Sequence, residues 1–142
     1  SLKNLILKFR ETSSRVIVVK VSPDSSEEEV LKVCEILSNI PKTVINIGNS
    51  KYVKADSVGL SSKTFSKEGG GLSGKSLYSN TLKTVKLISS KYDLPIIATG
   101  GVSSYDNVKE LLDNGASLTG MATLLVSDPF QIPLINYRLS NG

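Results

Sequence analysis

Along this chain, short β-branched apolar runs alternate with longer stretches in which apolar residues recur every three or four positions. The run "RVIVVKVSP" (Arg15 to Pro23) follows Ser and Thr residues and ends in a Pro-Asp turn, the pattern of a strand buried on both faces. Ser25 and Ser26 then precede "EEEVLKVCEILSNI", with acids in its first turn and apolar residues at helical spacing as far as Pro41. The alternation repeats. "TVINIG" (Thr43 to Gly48) predicts a second strand, and Tyr78 to Tyr92 a helix with Leu82, Val85 and Ile88 or Leu87 on its inner face. "PIIATG" predicts a third strand, followed by a helix from about Tyr105 to Asn114. "SLTGMATLL" gives a fourth strand and turn, and "PFQIPLINYRLS" a closing helix interrupted by Pro133. Strand-helix units in series predict an α/β fold with a parallel sheet and right-handed crossovers.

Between Asn49 and Lys75 the alternation stops, in a stretch rich in Lys, Ser and Gly. Loops of that length inside compact domains are uncommon and usually functional. This one follows the C-terminal end of a strand, where parallel α/β folds place their sites. The 142 residues, of which 39% are hydrophobic and 21% charged, make one domain's worth of globular sequence, and residues 1–142 are expected to form a single domain.

Charge and residue content exclude several kinds of chemistry. Seventeen Lys and Arg against thirteen Asp and Glu give a formal charge of +4, but the cations are dispersed and few aromatics interleave with them. A nucleic-acid groove would need clustering and stacking platforms, so no nucleic-acid partner is expected. A mild positive balance suits an anionic small molecule. The chain has no histidine, which removes Ser-His and Cys-His nucleophile pairs and the commonest zinc ligand; no metal site is expected. Cys34, the single cysteine, shares a helical stripe with Val30, Val33 and Leu37 and reads as a small core residue rather than a catalytic thiol. No apolar run approaches the roughly 20 residues that cross a bilayer. Nothing near Ser1 resembles a signal or transit peptide, and a cytoplasmic location is expected, with a mitochondrial one as the alternative.

Glycine supplies the candidate chemistry. A phosphate group is held by backbone N–H groups converging at a helix N-terminus, where side chains would block the approach. Gly69 to Gly74 precede the helix that begins near Tyr78, and Gly100-Gly101 lie between a strand and the next helix. Ala122-Thr123 offer a small residue and a hydroxyl at the end of the fourth strand. Barrel enzymes commonly bind phosphate at the ends of their last two strands, so these corners together favour a phosphate-bearing ligand.

The stretches "VVKVSPD", "INIGNS", "GGGLSGKSL", "PIIATGGVSS", "NGASL" and "ATLL", in this order and approximate spacing, resemble the C-terminal half of dihydroorotate dehydrogenase, an FMN-containing (β/α)8 TIM barrel. The resemblance covers Val16 to about Pro129 and implies about four βα units, half a barrel, with residues 49–75 as a loop over the flavin. Matched position by position, Lys20 takes the place of the strand lysine beside the flavin ring. Gly74, Gly100, Gly101, Ala122 and Thr123 take the places of the FMN phosphate cradle. With "IGN" as the anchor, the family's substrate-contacting Asn falls on Ile45, and Asn46 reaches the ligand only if the register shifts by one, which reverses a strand's face.

The family oxidises dihydroorotate to orotate in pyrimidine biosynthesis. Its general base lies on an N-terminal half that has no counterpart here, so no catalytic base is expected in this chain. The implied partners are dihydroorotate or orotate and a missing N-terminal half-barrel or partner chain, with a homo-oligomer as a further form. "IGNS" resembles the fumarate-linked branch and "GGLSGK" the quinone-linked one. Two other readings stand beside this one: a non-catalytic family member acting as a scaffold or assembly subunit, and another phosphate-binding barrel such as a sugar-phosphate isomerase. The isomerase reading would want paired carboxylates, and Asp24 has no evident acidic partner.

Overall fold

The computed structural model describes residues 1–61, 63 and 68–142. In chain order the elements are α1 (Leu2–Thr12), β1 (Ile17–Val21), α2 (Glu27–Ser38), β2 (Thr43–Ile47), β3 (Lys51–Lys54), β4 (Gly69–Leu72), α3 (Tyr78–Ser89), β5 (Ile96–Thr99), α4 (Tyr105–Asp113), β6 (Leu118–Gly120), α5 (Ala122–Ser127) and α6 (Gln131–Asn141). Single 3-10 turns occupy Ala55–Val58 and Lys75–Leu77. The apolar runs pair as a four-stranded, all-parallel sheet in the order β1-β2-β5-β6, so β1 and β6 are its edges.

Register gives the sheet two unlike faces. Ile45, Ile47, Ile96 and Ala98 point together toward the helices and are at most 2% exposed. They form one cluster with Val30, Cys34 and Leu37 of α2, Val85 and Ile88 of α3, and Val108 and Leu111 of α4. The opposite face carries Val18, Lys20, Val44, Asn46, Ile97 and Leu118. The sequence predicts β1 buried on both faces, yet Val16, Val18 and Leu118 are 60%, 50% and 62% exposed, because no element described here covers that side. Burying an aliphatic side chain is worth about 1.5–3 kcal/mol. The β-branched run is therefore suited to more cover than these residues receive.

Local signals fix several boundaries. Ser26 caps α2 through the Glu29 N–H while the Glu29 carboxylate accepts from the Ser26 N–H, a reciprocal capping box that starts the helix at Glu27, the first of its three acids. That bond, with the side-chain bond to Ser26, holds the Glu29 carboxyl below its usual range. Pro133 does not interrupt the closing helix. It sits in the first turn of α6, where a backbone N–H has no intrahelical acceptor to lose. The fourth strand is shorter than expected, since β6 ends at Gly120 and Ala122 and Thr123 open α5 instead.

Two parts of the fold are additions to the sequence reading. Helix α1 buries Ile6 and carries Arg10 in its last turn, whose guanidinium donates to the carbonyls of Ser13, Arg15, Pro41 and Lys42. Arg10 thus pins α1 beneath the starts of β1 and β2. The stretch 49–75, expected as a loop, contains the antiparallel pair β3 and β4, with Tyr52 opposite Gly71 and Lys54 opposite Gly69. Its positions 62 and 64–67 lie outside the described residues.

Cys34 is fully buried on α2, in agreement with a core role, and burial pushes its thiol up to about 11. The folded state then holds the thiol proton more tightly than the unfolded chain does. Its contribution to stability is present below pH 9 and lost as pH rises from about 9 to about 11. Folded protein is expected to leave a thiol-specific disulfide reagent unreacted at pH 8, with stoichiometric labelling only in denaturant. Fast labelling of native protein would place the thiol outside the core.

Candidate functional site

The C-terminal ends of the parallel strands converge on a cleft of about 470 Å³, lined among others by Lys20, Gly74, Gly100, Gly101, Ala122 and Thr123. All the residues matched to a flavin site from sequence are therefore brought together, from β1, the β4–α3 corner, the β5–α4 corner and the start of α5. Gly74 has φ +96° and ψ −166°, a conformation open in practice to glycine alone, and it begins the 3-10 turn that leads into α3. A Cβ there would meet only the Thr123 methyl at 3.8 Å, so these two corners face each other across the cleft.

Gly100 and Gly101, at φ +126° and +75°, serve close approach. A Cβ on Gly101 would collide with the Tyr78 backbone N, and one on Gly100 would lie 2.8 Å from Thr81 Oγ1. The Gly101 corner is thereby seated against the start of α3. Tyr78 reinforces the seat: its phenol donates to Glu110 Oε2 at 2.7 Å, and burial followed by that carboxylate raises it to about 12. The 3-10 turn after Gly74 and helix α5 both begin without a side-chain cap, leaving backbone donors at two borders of the cleft.

The three consecutive glycines answer a different need. Gly69, Gly70 and Gly71 form β4, and Cβ atoms on Gly69 and Gly71 would strike the Tyr52 and Ser50 side chains. Of the four glycines between Gly69 and Gly74, only Gly74 lines the cleft. The hairpin rises from the cleft's mouth, since Ser50 and Ser73 at its two ends both line it. Asp24 steadies it by accepting the Tyr52 N–H at 3.1 Å.

Lys20 and Lys75 put two cations on the cleft, with Asp128 as the acid among its lining residues. Lys20 Nζ lies 3.5 Å from Asn49 Oδ1. Asn46 does not line the cleft, but it is paired in register with Lys20 and projects on the same open face, while Ile45 is fully buried under the helices. Anchoring on "IGN" assigns the ligand-contacting place to Ile45 and the reverse face to Asn46; the strand pairing gives the opposite faces, Asn46 beside Lys20 and Ile45 under the helices. Thr99, which sequence reasoning passes over, lies on this face too and donates to Asn46 Oδ1 at 3.2 Å. No group of three or more His, Cys, Asp or Glu side chains capable of holding a metal ion occurs among the described residues. No helix among them is long and apolar enough to cross a membrane.

Comparison with known proteins identifies relatives of the whole region. The family described as dihydroorotate dehydrogenase matches residues 1–141. The chain is similar to the mitochondrial dihydroorotate dehydrogenase (quinone) of Schizosaccharomyces pombe, 33% identical over 126 residues, covering 87% of this chain and 27% of that protein. It is similar to the dihydroorotate dehydrogenase (quinone) of Christiangramia forsetii, 29% identical over 97% of this chain and 41% of that protein. The chain thus spans well under half the length of these relatives. Among solved structures, the crystal structure of DHODH in complex with ferulenol from Eimeria tenella superposes with a TM-score of 0.64 at 23% identity, over 78% of this chain and 29% of that one.

The geometry ranks two glycine substitutions. Gly74→Ala is expected to cost about 1–3 kcal/mol, the backbone strain alone, because its Cβ finds room beside Thr123. Gly101→Ala is expected to cost more than about 4 kcal/mol, because its Cβ also forces the Tyr78 backbone away. Denaturant midpoints of the two variants check this order; equal losses would contradict it.

Proposed function

This chain belongs to the dihydroorotate dehydrogenase family, and on that premise we propose that it is the FMN-phosphate-binding half of a (β/α)8 barrel that oxidises dihydroorotate to orotate in pyrimidine biosynthesis. The observation that carries the reading is the single cleft on which Lys20, Gly74, Gly100, Gly101, Ala122 and Thr123 meet. The residues present suit such a group: corners without Cβ atoms, uncapped backbone donors at two borders, and a lining that carries the cations Lys20 and Lys75.

In this reading Gly74, Gly100 and Gly101 give backbone N–H groups to the phosphate, Ala122 leaves room at the start of α5, and the Thr123 hydroxyl closes the cradle. Lys20 holds its ammonium toward the ring, and Asn46 on the same face hydrogen-bonds the substrate. When bound, FMN supplies the acceptor for a hydride from the substrate carbon. The proton from the neighbouring carbon goes to a base outside this chain. The hairpin of β3 and β4, steadied by Asp24, shields the cleft from water. The acceptor that this reading favours is a quinone, on the names of the relatives and on "GGLSGK".

The partner is the remaining half of the barrel. The open sheet face with Val18 and Leu118, together with the edges β1 and β6, suits four further parallel strands. Asp24 is engaged with the hairpin rather than free to serve as an acid, which disfavours an isomerase site.

Purified together with the remaining half-barrel, the protein is expected to be yellow and to release FMN on denaturation. Riboflavin, which lacks the phosphate, is expected to bind about 100-fold more weakly, equivalent to roughly 2.7 kcal/mol. A folded, colourless complex, or equal affinity for the two flavins, would overturn the cradle assignment.

A further inference from the structure

The Asn46 amide is not free to turn. It lies opposite Lys20 in the β1–β2 register and opposite Ile97 in the β2–β5 register, which sets Thr99, two residues beyond Ile97, on the same open face. Thr99 Oγ1 donates to Asn46 Oδ1 at 3.2 Å. Two glycines hold that threonine in place. A Cβ on Gly48 would fall on the Thr99 carbonyl oxygen, and a Cβ on Gly120, its register partner in β6, would stand 2.5 Å from Thr99 Oγ1. Both neighbouring strand ends therefore close on Thr99, and its β-branched side chain has few rotamers to choose from.

An amide whose oxygen is already engaged turns its NH₂ group away from the partner. We propose that Thr99 is a positioning residue that fixes the Asn46 amide with its NH₂ toward the open face beside Lys20, so that this part of the site selects a ligand with a hydrogen-bond acceptor there, a carboxylate or ring carbonyl oxygen, and rejects a donor. The identity of the ligand as a cyclic acid rests on the function proposed above; the orientation of the amide does not. The cost of discrimination falls on the wrong ligand, because a donor placed against the NH₂ group leaves two donors facing each other with no acceptor between them.

A double-mutant cycle tests this in the assembled protein, with orotate as the probe and FMN retention measured in the same samples. Thr99→Val, which keeps shape and loses the hydroxyl, is expected to weaken orotate binding about tenfold and to leave FMN bound. Thr99→Ser, which keeps the hydroxyl, is expected to stay within about twofold of the parent. Thr99→Val added to Asn46→Ala is expected to bind no worse than Asn46→Ala alone, since the threonine acts through the amide. Orotate binding by Thr99→Val equal to the parent, additive losses in the double variant, or no orotate binding by the parent would each overturn the inference. Loss of FMN from the parent with the orotate cycle intact would instead count against the flavin reading and leave the amide assignment standing.

Discussion

Close approach of three strand ends governs the rest of this structure. The carbonyl of Thr99 occupies the space that a Cβ would need on Gly48, and the Thr99 hydroxyl occupies nearly the space of a Cβ on Gly120. Any other residue at either glycine would splay β2, β5 and β6 at the end where the cleft forms. With them in contact, the corners after β5 and β6 and the start of α3 can border one cavity rather than three shallow ones. The entropy that glycine forfeits on folding is offset by geometry that no other residue permits.

The two faces of the sheet divide the labour. One face is an ordinary α/β core in which Ile45, Ile47, Ile96 and Ala98 meet α2, α3 and α4, and it gives the strand ends their rigidity. The other carries Lys20, Asn46 and Thr99 among Val18, Val44 and Ile97. Polar groups on that face are few, and Thr99 is bonded to Asn46 while Lys20 is bonded to Asn49, so they act as fixed points on an apolar surface, which is how binding sites obtain specificity from little polar area.

Much of this was legible in the chain. Strands β1, β2 and β5 announce themselves as β-branched runs, and α2 and α4 carry Ser caps that the structure uses, Ser26 and Ser104. The glycines at 74, 100 and 101 stood out because they interrupt periodic segments at strand-to-helix corners. Helix α1 is not legible because its inner stripe runs Leu2, Ile6, Arg10, and a half-buried arginine that donates to four carbonyls leaves no apolar signal. The hairpin is not legible because a strand of Gly-Gly-Gly-Leu has no side-chain alternation to read. Asn46 and Thr99 became visible only with the register, since the face of a strand is set by its pairing with neighbours distant in sequence.

Parallel pairing also gives the cleft an electrical direction. Each of β1, β2, β5 and β6 brings its C-terminal end to the same rim, and the helices that follow β5 and β6 start on that side of the sheet, with the positive ends of their backbone dipoles there. A strand joined to β1 or β6 in the same direction would bring another helix start and more N–H donors to that rim. One joined in the opposite direction would bring the end of a preceding helix and its carbonyl oxygens, which repel an anion. A negatively charged ligand seated in the cleft would thus discriminate between completing segments by the polarity of their backbone, before any side chain is compared.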